Sequence, residues 1–295
     1  MKIFAIVILA AFLSFSGCSD DNTTNPTPQT STTTLNISGL SDLGSSFKYE
    51  GWLILPNGEA KSTGVFTVDA NGIMSKTKFD VDATNLSDAI KFVLTIEPNP
   101  DSDPNPSPTH ILAGDFSNKT ASLSVADGAA FGDDFTSSTG KYILATPTNG
   151  ANTDENSGIW FLDLSSGSPA AGLSLPTLPT GWKYEGWVVI NGSPVSTGTF
   201  TSVNVVDDAD PFSSTMAGPP FPGEDFLLNA PAGLSFPTNL ANATAVISIE
   251  PDPDNSANPF LLKPLVGMIP SNAADHVTYS MGLNLASFPA GTATR

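Results

Sequence analysis

The hexapeptide Phe47-Lys48-Tyr49-Glu50-Gly51-Trp52 is written a second time as Trp182-Lys183-Tyr184-Glu185-Gly186-Trp187, with one aromatic exchanged for another. Tyr49 and Tyr184 lie 135 positions apart; after a one-residue deletion in the following turn, Gly64 and Gly198, and then Phe66 and Phe200, keep an offset of 134. A second block, Glu97-Pro98-Asn99-Pro100-Asp101 through Asn105-Pro106, returns as Glu250-Pro251-Asp252-Pro253-Asp254 through Asn258-Pro259, with Gly114 matched by Gly267, at an offset of 153. Such registration marks two copies of one unit. The second copy carries 19 extra residues, the difference between 153 and 134, in the Pro- and Phe-rich stretch 207–226, which is expected to be a surface loop.

Within the first copy, Phe47, Tyr49, Leu53 and Leu55 alternate with Lys48, Glu50, Trp52 and Ile54, the period of a strand. Asn57-Gly58 is expected to supply both positive-φ positions of a tight hairpin turn, with 61–68 as the returning strand. Further short strands are expected at 73–79, 90–96, 109–113 and 121–125, and 142–146 with 159–164 as a hairpin closing the first unit. The hairpin at 182–190, Asn191-Gly192 and 195–201 repeats the opening one. Gly51 and Gly186 sit inside strands, where a repeated glycine points to a bulge or to an aromatic ring over bare backbone, with the neighbouring tryptophans as the expected rings. Trp52 and Trp187 themselves read as core plugs, beside Tyr49 and Tyr184.

Gly and Pro at 25 residues each, with charged residues at only 14%, favour turn-rich β structure. The expected fold is all-β: two tandem antiparallel β-sandwich domains, immunoglobulin-like or barrel-like, at 35–168 and 169–295. They follow a signal peptide (1–17) and a flexible stalk (18–34). The leader has a charged start at Lys2, an apolar run and a small-residue end at Ser16-Gly17, and it is too short to span a membrane. Cys18, the sole cysteine, stands at the cleavage point and resembles the lipid-modified cysteine of bacterial lipoproteins. Ser19-Asp20-Asp21 looks like a short acidic sorting signal. These features imply a tether to the outer membrane, on its periplasmic or surface face, with 22–34 as a solvated spacer. The formal charge of −18 becomes −19 without Lys2 and disfavours nucleic acid as a partner.

The repeated pattern of Tyr-x-x-Trp-apolar, Ser-Thr-Gly-x-Phe-Thr, and an apolar strand ending Ile-Glu-Pro before a Pro-rich loop resembles the extracytoplasmic C-terminal domain of anti-sigma-K factors, over 35–127 and 173–282. The resemblance implies a β module that senses or binds. The chain departs from that family in having neither a spanning helix nor a zinc-binding cytoplasmic domain, so direct sequestration of a sigma factor is not implied.

No catalytic constellation is legible. His110 and His276 do not occupy matching positions, and no nucleophile motif, phosphate-cradling loop or cofactor signature occurs. Glu97 and Glu250, at the same strand end in both copies, read as loop anchors accepting backbone N–H bonds. Asp101 and Asp103, with Glu97, are weak calcium candidates; neither copy has the Gly and closing Glu of an EF-hand loop, and a solvated loop is the preferred reading. The sequence thus points to a non-enzymatic, cofactor-free envelope lipoprotein that binds or senses an extracytoplasmic partner, an envelope protein or a glycan, with envelope signalling as the expected setting. The alternative is a glycan-binding or adhesive lipoprotein with Trp52 and Trp187 as ligand contacts.

Overall fold

The computed structural model describes residues 29–295 other than Asn255. The leader, Cys18 and Ser19-Asp20-Asp21 lie outside the described residues. The fold is nearly all β, in two nearly closed antiparallel sheets. Residues 30–123 supply β1 (Thr30–Ser38), β2 (Phe47–Ile54), β3 (Ala60–Phe66), β4 (Lys78–Asp82), β5 (Lys91–Pro98), β6 (His110–Ser117) and β7 (Thr120–Leu123). One short helix, α1 (Ala83–Asp88), follows β4, and Asp82 caps it by accepting the N–H groups of Thr84 and Asn85. Next come β8 (Thr139–Leu144), β9 (Gly158–Trp160), β10 (Leu162–Asp163), β11 (Ala170–Ala171), β12 (Leu173–Ser174), β13 (Trp182–Ile190), β14 (Ser193–Phe200), β15 (Gly223–Asp225), β16 (Thr244–Pro251), β17 (Leu265–Met268) and β18 (Tyr279–Leu283). The last strand is β19 (Ala290–Thr294).

Strand order in the first sheet is β3-β2-β5-β6-β7-β19-β1-β4, and in the second β14-β13-β16-β17-β18-β8-β9-β15, with β12 joined to β8. In each, the end strands approach one another and bend the sheet toward a barrel. The sheets do not divide the chain at 168/169. The 142–146 and 159–164 segments, expected to close the first unit, belong to the second sheet through β8 and β9, while β19, from the end of the second unit, lies in the first. Registers show that these two strands exchange places: Gly291 of β19 sits opposite Leu123 of β7, and Gly140 of β8 sits opposite Met281 of β18. With the copies divided between β8 and β9, each gives its last strand to the other sheet. The physical reason is the gap beside β7, and likewise beside β18, whose unpaired N–H and C=O groups only another strand can satisfy. The two crossovers meet where Phe135 packs edge-on against Phe288, ring centroids 5.6 Å apart, and Phe131 lies 4.8 Å from Trp182. One buried cluster, from Leu35 to Ala293, runs continuously through both sheets.

Three local expectations are corrected. The spacer does not extend to Thr34: residues 30–34 are already β1, paired with β4, where Thr33 is fully buried and its hydroxyl donates to the Thr294 carbonyl at 2.9 Å. Threonine needs no apolar neighbour to form a strand when its hydroxyl finds a partner. The Asn57-Gly58 turn places only Gly58 at positive φ (83°). Pro56 holds a longer loop in which Gly58 N–H donates to Leu55 O at 2.9 Å. In the second copy Asn191 and Gly192 both have positive φ, 52° and 85°, as the two-residue turn requires. Finally, 207–226 is a surface loop only in part: 207–220 is exposed or half-buried loop, but Gly223–Asp225 is β15, the buried partner of β9.

Gly51 and Gly186 each sit at a bulge, before Trp52 and Trp187. The covering rings are not the tryptophans. A Cβ on Gly51 would meet Phe92 at 2.6 Å, and one on Gly186 would meet Phe161 at 2.6 Å. The place of Phe92 in β5 is taken by Ala245 in β16, so the second barrel covers its glycine with a ring from beside β9 instead.

Arg295 follows β19 and fastens it: Nη1 donates to the carbonyls of Leu86, Ser87 and Ala89 at 2.7–2.9 Å, closing the end of α1, and the guanidinium lies 4.5 Å from the Phe116 ring centre. Deleting 290–295 leaves β1 and β7 with open edges. The truncated chain is expected to lose hydrogen-exchange protection in the first sheet and to regain it when a peptide spanning 286–295 is added. Unchanged protection after truncation would contradict the exchange of strands.

Candidate functional site

The repeated hexapeptide and the repeated Glu-Pro block come together in space, because β2 pairs with β5 and β13 with β16. In the first barrel Trp52 Nε1 donates to Thr95 Oγ1 at 2.9 Å, and that hydroxyl donates to Glu97. Glu97 Oε1 also accepts the N–H of Ser107 at 2.9 Å. The second barrel repeats the relay: Trp187 Nε1 to Ser248 Oγ at 2.8 Å, Ser248 to Glu250, and Phe260 N–H to Glu250 Oε1 at 2.8 Å. Glu97 and Glu250 therefore tie the loop after each strand back to the sheet. Trp52 and Trp187 are each 2% exposed, which leaves no ring face for a sugar. Tyr49 and Tyr184 are buried too, and their hydroxyls donate to the carbonyls of Ser41 (3.0 Å) and Pro176 (2.7 Å), each eight residues upstream.

Beside each relay stands the glutamate of the hexapeptide. Glu50 accepts from the Ser62 hydroxyl and Glu185 from the Ser196 hydroxyl, and both carboxyls are buried. In the second barrel one carboxylate oxygen from each of Glu185, Glu250 and Asp254 lies within 4.8 Å of the others. Burial pushes Glu185 up to about 8, with repulsion from Glu250, Asp254 and Asp208 adding, despite the Ser196 bond. Glu250 is pushed up to about 7 by burial, with Asp254 adding and the bonds from Ser248 and Phe260 and the charge of Lys263 opposing. Burial likewise raises Glu50, and holds Lys263 below its ordinary value. The Lys263 ammonium donates to the Phe260 carbonyl.

Glu250 and Asp254 border a cleft of about 380 Å³ where the two copies face each other. Its walls are the 42–47 loop and Ile96 on one side and Glu250, Pro253, Asp254 and Phe260 on the other. Asp101 and Asp103 are not gathered into such a group: they are exposed, and each carboxylate accepts a backbone N–H two residues on, from Asp103 at 2.9 Å and Asn105 at 3.0 Å. His110 Nδ1 bonds to the Ala129 carbonyl, and exposed His276 lies beside Asp275.

Sequence reasoning passed over Glu50 and Glu185, although they stand inside the repeated hexapeptide itself; an acid preserved between two aromatics of a half-buried strand was the available signal. It also passed over Asp207, Glu224 and Asp225. Asp207 accepts the Gly223 N–H at 2.9 Å, Glu224 accepts from Ser213, and Asp225 accepts from Trp160 Nε1 at 2.8 Å and from the N–H and hydroxyl of Thr148. No repeat partner flags these acids: β4 carries Phe79 at the register position that Glu224 takes in β15.

No family model matches the chain, and neither the curated proteins nor the solved structures provide a match.

Burial also pushes Asp207 up to about 8 and Glu224 up to about 7, like charges adding in each case. A carboxyl whose folded pKa exceeds its unfolded value keeps a proton in the native state that the unfolded chain has released. Its contribution is fully present below the unfolded value and is lost as pH rises through the folded one. Denaturant unfolding is therefore expected to show stability lower at pH 8 than at pH 5 by about 2 kcal/mol or more. Asp207→Asn should remove part of that slope, whereas a stability that rises across this interval would contradict it.

Proposed function

We propose that the protein is a non-enzymatic binding or sensing lipoprotein of the cell envelope, tethered through Cys18, whose recognition surface is the cleft between the two barrels. The observation that carries this reading is the cleft itself: acidic at Asp42, Glu250 and Asp254, aromatic at Phe47 and Phe260, with one wall held in place by the buried Glu250 and the other tied by Asn99, whose side chain donates to the Ser45 carbonyl. Such a lining suits a basic or amphipathic segment of another protein, and the formal charge of −18 would favour its approach. The leader, the lone cysteine and the acidic run after it support the tether. The pattern resembling the extracytoplasmic domain of anti-sigma-K factors supports a part in envelope signalling. Among the described residues no helix is long and apolar enough to cross a membrane. A glycan reading would need ligand contacts other than Trp52 and Trp187, since both are buried.

Two measurements test the proposal. In cells, Cys18→Ala is expected to abolish palmitate incorporation and to move the protein from the membrane to the soluble fraction. A photo-crosslinker at Ser45 or Ser256 on the cleft wall is expected to capture one envelope protein, competed by Asp42→Asn with Asp254→Asn. Palmitate labelling that survives the cysteine change, or capture that is equally strong from a crosslinker at exposed Lys119, would overturn the tether or the cleft respectively.

A further inference from the structure

The second barrel holds an acidic group with features that the loop-anchoring role leaves unused. Glu185 and Glu250 are 5% and 1% exposed, and in each carboxylate one oxygen is fixed: Oε1 of Glu185 by the Ser196 hydroxyl, Oε1 of Glu250 by the Ser248 hydroxyl and the Phe260 N–H. The other oxygen of each, Oε2, is buried without a hydrogen-bond partner. A buried carboxylate oxygen without a partner is costly, and here two neighbouring carboxyl groups each carry one. The third member, Asp254, is half-buried, accepts the Ser256 N–H at 2.8 Å, and forms part of the cleft wall.

We propose that Glu185, Glu250 and Asp254 form a binding site for one hard divalent cation of calcium type. The donors are all carboxylate oxygens, with no nitrogen or sulfur in the group, the set that suits calcium or magnesium in preference to zinc or copper. The hydroxyl and N–H partners fix one oxygen of each glutamate and leave the other free to bind, as partners behind metal ligands do. Three carboxylates leave several of the six to eight calcium positions for water or for a ligand entering the cleft. Two lysines stand nearby: Lys263, whose charge acts on Glu250 and which forms no ion pair within 4.0 Å among the described residues, and Lys183, opposite Glu250 in the strand register, whose ammonium lies 3.5 Å from Asp252 and 3.6 Å from Asp208.

The first barrel supplies an internal control. Glu50, Glu97 and Asp101 occupy the matching repeat positions, yet among the described residues only the second-barrel trio converges. Neither Glu50 nor Glu97 has a buried oxygen left without a partner. The inference stands independently of the lipid tether and of what enters the cleft.

The test uses the full chain in detergent, stripped with a chelator and titrated with calcium chloride and, separately, magnesium chloride. Calorimetry and thermal unfolding are read together. One calcium per chain is expected, with binding in the micromolar to millimolar range and a rise in Tm that grows with calcium concentration. Glu185→Gln and Asp254→Asn should each weaken binding at least about tenfold, while Glu50→Gln leaves it unchanged. Asp254→Asn keeps the test decisive if a change at Glu185 prevents folding, because Asp254 lies on the loop and not in the sheet. Absence of heat and of a Tm shift up to about 10 mM of either cation would overturn the site. So would binding that survives both variants, which would place the cation elsewhere, or equal loss in Glu50→Gln.

Discussion

Every strand edge in this molecule has to be paired, covered or turned away, and that constraint shapes the whole chain. Each repeat builds seven places of an eight-place sheet and leaves one open, between β7 and β1 in the first and between β18 and β9 in the second. The missing place is filled from the other repeat, by β8 in the second sheet and β19 in the first. Once the two strands cross, their connections must also cross, which brings Phe135 against Phe288 and lets a single apolar cluster run through both sheets. The cleft is a further result, since the 42–47 loop of one copy is brought to face the 250–260 loop of the other.

The two barrels solve the same internal problem with different side chains. Both need an aromatic ring over a bare glycine, and one takes it from β5 while the other takes it from beside β9. Both need a hydroxyl between an indole N–H and a carboxylate, and one uses threonine where the other uses serine. The divergence is greatest at the second edge, where Phe79 of β4 gives way to Glu224 of β15 and the sheet margin becomes a set of buried acids saturated by N–H and hydroxyl donors. Polar groups replace apolar ones there without a surplus of unpaired atoms, which is the condition for such a replacement to persist.

Much of the architecture was readable from the chain alone. The repeat, the all-β class, the opening hairpin and the bulges at Gly51 and Gly186 all rest on local spacing, and local spacing survives folding. The exchange of β8 and β19 does not, because a strand of five or six residues fits either sheet equally well by its own pattern, and only the register against β7 and β18 distinguishes them. Glu50 and Glu185 were hidden for a related reason. Strict alternation assigns them to a solvent face with Lys48, whereas five consecutive residues of β2, Tyr49 to Leu53, are buried on both faces. Similarly, 207–226 resembles a loop in composition, and β15 is held by acids that a propensity scale counts against a strand. In each case the deciding term was a partner distant in sequence.

The neighbours β1 and β19 pair Leu35 with Ala293, at nearly opposite ends of the described chain. Contacts of such sequence separation form late and slowly, because a very long loop must close before they contribute. During synthesis the first barrel therefore remains incomplete until the last strand is available, whereas the second receives β8 before most of its own strands exist. The order of completion is then the reverse of the order of synthesis: the barrel made first closes last, and the intervening barrel serves as the template that brings β19 back to it.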